Sequence, residues 1–243
     1  MNMLSRVAEN IYWLSRYVER AENMGRLVSV NANLLLDLPK GIAPGWEPLI
    51  TITGSNDLFL KRHKTYGERT ALRFLISEAE HPGSILSSLQ AARANCRTIR
   101  DSIPRAAWEQ INELYLSARD NVQEGLTKRG RHAFLKRVIL GAQTVTGMLA
   151  GTMNHDQGYH FLRMGRNLER ADMTSRIVDV RSASLLPEDV PELRPYENIQ
   201  WMSVLKSLSA DQMDRRSMEV RFRRGDVLRV VRQGQGFPRA FAQ

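Results

Sequence analysis

A chain of 243 residues with 42% hydrophobic and 25% charged side chains has the make-up of an ordinary folded protein, which excludes global disorder. Its length is enough for a sizeable core. The net charge of +9 and sequence pI of about 10.1 favour anionic partners, nucleic acid and acidic protein surfaces among them, without choosing between them.

Residues 3 to 37 read as one long helix, because Val7, Ile11, Leu14, Val18, Ala21, Gly25 and Val28 recur at intervals of three and four and make one apolar stripe. Two prolines and two glycines between Leu38 and Gly45 end it. Residues 46–53 read as a short apolar helix and 54–64 as irregular. The pattern then predicts a helix over 68–79, closed by His81-Pro82-Gly83, and another to about Arg100 with Ser84 as its cap. Pro104 suits the first turn of a helix reaching Thr127. After the basic turn at 128–131, helices are predicted over 132–153 and from there to about Ser184. Residues 187–195, with three prolines, read as the longest loop, 197–208 as a helix, and Ser209 to Gln212 as a capping box opening one more. Connections are short and no segment alternates in the manner of a strand. The expected fold class is therefore all-α, an antiparallel bundle of about seven to nine helices forming a single domain over 1–243.

The start of the chain lacks the pattern of a signal peptide, and the most apolar stretch, 138–151, is too short to span a bilayer. No membrane association is expected. Gly147 and Gly151 within that stretch, four residues apart, read as a place for another backbone to approach. The one cysteine, Cys96, excludes an intrachain disulfide and a multi-cysteine zinc site. It lies in a helical pattern as a small packing residue, in keeping with a reducing cytoplasm.

An internal repeat stands out. Residues 11–28 (IYWLSRYVERAENMGRLV) and 161–178 (FLRMGRNLERADMTSRIV) align with an offset of 150, and six of the 18 positions are identical: Arg16/Arg166, Glu19/Glu169, Arg20/Arg170, Ala21/Ala171, Arg26/Arg176 and Val28/Val178. Glu22 faces Asp172. At 100° per residue, Leu14, Val18 and Ala21 centre the apolar face, while Glu19, Glu22 and Arg26 run along its flank and Arg16 and Arg20 lie further round. Glu22–Arg26 and Asp172–Arg176 are acid-before-base pairs at i,i+4, each contributing about 0.2–0.5 kcal/mol when exposed. The expectation is that the two helices pack side by side about a pseudo-twofold axis, with Glu19 and Glu169 taking arginines from the opposite helix. Such a network is either structural or the lining of an anion site, and structure is the stronger reading.

Other chemistry has little support. A carboxylate-bridged metal bundle needs two Glu-x-x-His sites, and only Glu78 to His81 has the spacing, at a helix end. His155 and His160 are five apart, so they do not share a helical face, and His160 reads as a packing or locally bonded residue. No metal and no cofactor is expected, and no phosphate-binding glycine loop or nucleophile turn is present. Arg215, Arg216, Arg221, Arg223 and Arg224 form the densest basic patch, which serves either as a solvated face or as a contact for an acidic partner or RNA.

The segment Glu9 to Asn23 (ENIYWLSRYVERAEN) resembles the opening motif of the Alpha-E superfamily, bacterial helical proteins with a Glu-Arg motif. The likeness continues through 84–93, 108–112, 165–172 and 201–210, nearly the whole chain. It departs at Ala94, where the family commonly has an acid, and at the C-terminus, where members are usually longer, so that this chain reads as trimmed there. The resemblance implies a partner more than an activity: an ATP-grasp-type ligase, with transglutaminase-like peptidases as frequent companions, and hence an accessory role in peptide or amide-bond synthesis. It carries over no catalytic residue. Two alternatives stand beside it: an enzyme using the Glu/Arg network as acid–base and anion-binding groups, and an RNA- or tRNA-binding module.

Overall fold

Helix α1, Ser5–Asp37, follows from the three–four spacing of its apolar residues, and Ile11, Leu14, Val18, Ala21, Leu27 and Val28 are all buried. The computed structural model describes residues 3–39, 41–183, 194–209, 227–229, 231 and 237–240. The basic patch from Arg215 to Arg224, the capping box after Ser209 and most of the loop at 187–195 lie outside the described residues. Among the described residues the chain is all-helical, with no strand. After α1 come α2 (Glu47–Ile52), α3 (Asn56–Leu60), α4 (Glu68–Ser77), α5 (Ile85–Thr98), a 3-10 turn (Arg100–Ser102), α6 (Arg105–Asp120), α7 (Val122–Leu126), α8 (Arg131–Thr152), α9 (Gln157–Ala183) and α10 (Arg194–Ser207). None of these helices is long and apolar enough to cross a membrane.

The described residues exceed the expected seven to nine helices because two short ones escape the periodicity. Residues 54–64 are not wholly irregular: α3 is a five-residue helix that buries Phe59, too short to show a 3.6-residue period. The helix expected from Pro104 to Thr127 is broken at Asn121, whose Nδ2 donates to the Ser117 carbonyl at 2.8 Å. That bond competes with continuation of the helix, and α7 restarts at Val122. Ser84 caps α5 as expected, its Oγ accepting from the Ser87 amide at 3.2 Å.

The chain divides into two compact units. The first comprises Met1–Gly25 with Leu72–Arg170, the second Arg26–Ala71 with Ala171–Gln243. In the first, α5 and α6 run antiparallel. Arg93 donates Nε to Asn112 Oδ1 at 2.7 Å and lies over the rings of Trp108 and Tyr115. Leu114 of α6 packs on Gly141 of α8, and Phe134 of α8 on Gly125 of α7. Gly25 of α1 meets α8 through Ile139, to which an added Cβ would approach within 3.2 Å. Cys96 is fully buried in this core, and burial pushes its thiol up to about 12.

In the second unit Leu27, Leu49, Ile50, Phe59, Ile177, Trp201 and Leu205 form the core. Buried Asn31 ties three strands of sequence together: its Nδ2 donates to the Gly45 carbonyl at 3.1 Å, and its Oδ1 accepts from Arg181 Nη2 at 2.9 Å. Gly45 itself has φ +70°, a left-handed conformation that glycine adopts at no steric cost. Burial lowers the Arg181 guanidinium to about 10.

A candidate arginine–glutamate site

The site lies in the first unit, where α1 meets α9. The two helices run parallel: Met3 approaches Gly158, Tyr12 and Ser15 meet Gly165, and Arg16 and Arg20 reach Glu169. Consecutive helices such as α5 and α6 reverse direction, but α1 and α9 are far apart in the chain and need no short turn between them. Gly165 sets how closely they approach. A Cβ built there would collide with the Tyr12 carbonyl oxygen and the Ser15 hydroxyl, so only glycine fits at that crossing.

One turn beyond Gly165, Glu169 lies on the same face of α9 and is directed at α1. It takes three hydrogen bonds from two arginines a turn apart. Arg16 Nε donates to Oε2 at 2.8 Å, Arg20 Nε to Oε1 at 2.6 Å, and Arg20 Nη2 to Oε2 at 2.8 Å. The Arg20 contact is the bidentate fork that guanidinium and carboxylate geometry favours. The reciprocal pair is also formed, with Arg170 Nε lying 3.1 Å from Glu19 Oε1. Both glutamates are buried to 1% exposure, while the arginine side chains keep 17–20%. The charged heads are thus enclosed and the guanidinium stems form the cover.

Aromatic rings complete that cover. Tyr12 OH accepts from Arg16 Nη1 at 3.2 Å, Arg16 lies 5.1 Å from the Trp13 ring centre, and Arg20 lies 5.5 Å from that of Tyr17. Trp13 and Tyr17 stack on one another at 5.5 Å. Burial works against the charge of Arg16, but the hydrogen bond and attraction of Glu169 outweigh it and hold its pKa above the ordinary value. Arg166 is the opposite case: burial, then the like charge of Arg170, bring it below the ordinary value despite attraction to Glu19.

The remaining residues of the repeat are less alike. Asp172 and Arg176 form the expected i,i+4 pair at 2.9 Å, on the surface, with exposures of 42% and 44%. Glu22 is instead buried at 3% and accepts from Gln143 Nε2 at 3.4 Å, and Arg26 is half-buried. The acid at this position is therefore buried in one copy and exposed in the other.

Several contacts leave no mark in the sequence pattern. Gly165 was visible one turn before Glu169, but a glycine in a helix gives no sign of what it faces. Asn31 and Arg181 meet at the same offset of 150, beyond the 18-residue window in which the repeat is recognisable. His81 is buried at 2% and stacks on Phe74 at 4.3 Å. Among the described residues neither ring nitrogen has a hydrogen-bond partner, and burial, with Arg20 adding like charge, lowers its pKa to about 4. Among the described residues Gly147 and Gly151 do not mark a close backbone approach: a Cβ at either meets none of them within 4 Å. His160 is exposed rather than packed, and it is His155 that bonds locally, to the Ala150 carbonyl at 3.1 Å.

Chemically the arrangement is a clamp. The Glu19 and Glu169 carboxylates are 1% exposed and held by guanidinium groups, and a guanidinium does not deprotonate near neutral pH. Paired charges of this kind fix the register and separation of the helices that carry them.

Over residues 3–243 the chain matches the model of a family described as a predicted alpha-helical domain with a conserved ER motif. Similar curated proteins include an uncharacterized protein of Mycobacterium bovis, 23% identical over 186 residues, covering 68% of this chain and 21% of the relative. Another, from Mycobacterium tuberculosis strain H37Rv, is 22% identical over the same length and shares. The chain therefore spans about a fifth of the length of the curated relatives it matches. No solved structure matches.

Proposed function

The chain belongs to the Alpha-E family, and from that premise we propose that it is a helical accessory subunit that docks on, or completes, an ATP-grasp-type ligase making peptide or amide bonds in the cytoplasm. The observation that carries this reading is the fate of the Glu-Arg motif itself. Glu19 and Glu169 are enclosed at 1% exposure by Arg170 and by Arg16 and Arg20, so the most characteristic residues maintain a helical shape instead of meeting a substrate. A shape held this firmly suits a protein whose work is done by its surface. In the curated relatives the matching segment is about a fifth of a much longer chain, which agrees with a part that acts alongside others. The choice of an ATP-grasp ligase as partner, with a transglutaminase-like peptidase as a further companion, rests on the family resemblance.

The test is recovery of the tagged chain from its native host at native expression, with and without crosslinking, and mass spectrometry of what accompanies it. An ATP-grasp protein enriched in both preparations is the expected result. Its absence from the crosslinked sample overturns the proposal, and recovery of RNA whose binding weakens steeply with salt favours the nucleic-acid reading in its place.

A further inference from the structure

Beside the clamp, on the surface of the first unit, a polar hollow of about 390 Å³ opens between the start of α1 and the end of α5. Arg6, Glu9, Asn10, Trp13 and Tyr17 line it from α1, and Asn95 from α5. The α1 residues follow at intervals of three and four, so they form one stripe along the helix. This size is that of a site for one small molecule, and such sites combine an aromatic or apolar wall with a few converging polar groups.

The polar groups here are not committed elsewhere. Asn10 donates Nδ2 to the Arg6 carbonyl at 2.7 Å, which leaves its Oδ1 as an acceptor. Among the described residues Arg6, Glu9 and Asn95 form no side-chain hydrogen bond or ion pair. The wall, in contrast, is fixed. Trp13 and Tyr17 stack on each other and are held under Arg16 and Arg20, which are themselves anchored on Glu169.

We propose that this hollow binds a free α-amino acid with an aromatic side chain. Arg6 takes its carboxylate and Glu9, one turn along the same face, takes its ammonium group. That spacing brings the two side chains to neighbouring positions on the helix surface, which suits the adjacent charges of a zwitterion. Asn10 and Asn95 supply the remaining hydrogen bonds, and the ligand's ring lies against the Trp13–Tyr17 wall. A ligand of one charge leaves either Arg6 or Glu9 unanswered, and an apolar one leaves both, which is why the zwitterion fits best. The inference stands apart from the ligase-partner reading, and either can fail without the other.

The experiment is calorimetric titration of the whole chain with L-phenylalanine, N-acetyl-L-phenylalanine, L-phenylalaninamide and L-alanine. Saturable binding of phenylalanine is expected, weakened about tenfold or more when either charged end is blocked or the ring is absent. Arg6→Gln and Glu9→Gln alter exposed residues, so both keep the fold, as circular dichroism will verify. Each is expected to weaken phenylalanine binding about tenfold, and Arg6→Gln to abolish the distinction between phenylalanine and its amide. No saturable heat with phenylalanine, equal binding of the blocked ligands, or unchanged affinity in both variants each overturns the proposal.

Discussion

Arg20 grips Glu169 with two parallel hydrogen bonds, Nε to Oε1 at 2.6 Å and Nη2 to Oε2 at 2.8 Å, across 149 positions of sequence and with the carboxylate buried to 1%. Because the attraction between such charges offsets the cost of removing them from water only when both are present, the pair is more sensitive to loss of one member than of both.

Glu169→Gln removes the charge and keeps the shape, leaving Arg16 and Arg20 half-buried without a counter-ion. The expected loss of stability is about 3–5 kcal/mol, read as a lower urea midpoint with an unchanged slope. The double variant Arg20→Gln/Glu169→Gln is expected to lose less than the two single losses added together, with a coupling of about 0.5–3 kcal/mol. Simple additivity would show that the bond contributes nothing to the fold.

Gly165→Ala places a methyl group against the Tyr12 carbonyl and the Ser15 hydroxyl, and over-packing of this kind costs about 1–3 kcal/mol or more. Gly147→Ala is the contrasting case. Its Cβ meets nothing within 4 Å in the interior of α8, so the change to a better helix former is expected to stabilise by about 0.5–1 kcal/mol. Thermal melting of the two variants side by side will read both signs, and a neutral Gly165→Ala would contradict the close crossing.

His81 makes the fold sensitive to acid. Its pKa falls to about 4 on folding, from an ordinary value of 6.5, so below pH 6.5 the unfolded chain binds a proton that the folded chain refuses. The stability associated with the neutral ring is present in full above pH 6.5 and is lost as pH falls from 6.5 towards 4, by about 3 kcal/mol in all. Urea titrations at stepped pH will measure the slope. In His81→Leu that component of the slope is expected to vanish, and an unaltered profile would assign the acid sensitivity elsewhere.

Cys96 is fully buried with its thiol raised to about 12, and it is the only cysteine in the chain. The native protein is expected to resist a thiol-specific reagent at pH 8 and to react with one equivalent once denatured. Fast labelling of the native state would require an opening of the α5 region much easier than global unfolding.

The sequence carried the helices well where they were long. The three–four spacing of Ile11, Leu14, Val18 and Ala21 is a local property, and it predicts both α1 and its buried face. It failed at α3 and at the break before α7, since five residues cannot display a period and a single asparagine side chain can end a helix. The site is legible as a repeat, since Glu19, Arg20, Glu169 and Arg170 recur at the same phase of their two helices. How deep the carboxylates lie was not legible, and a helical wheel puts Glu22 and Asp172 in equivalent places although one is buried and the other exposed.

The chain alone thus determined which segments are helical, which face of each is apolar, and that two of them carry one charged pattern, because all three depend on neighbours three or four positions away. Only the tertiary structure decided that those helices run parallel, that Gly165 lies against the Tyr12 carbonyl and the Ser15 hydroxyl, and that Arg16 and Arg20 share one carboxylate while Gly147 and Gly151 meet none of the described residues. Burial and choice of partner are set by atoms brought close through space from distant positions, and no periodicity along the chain records them.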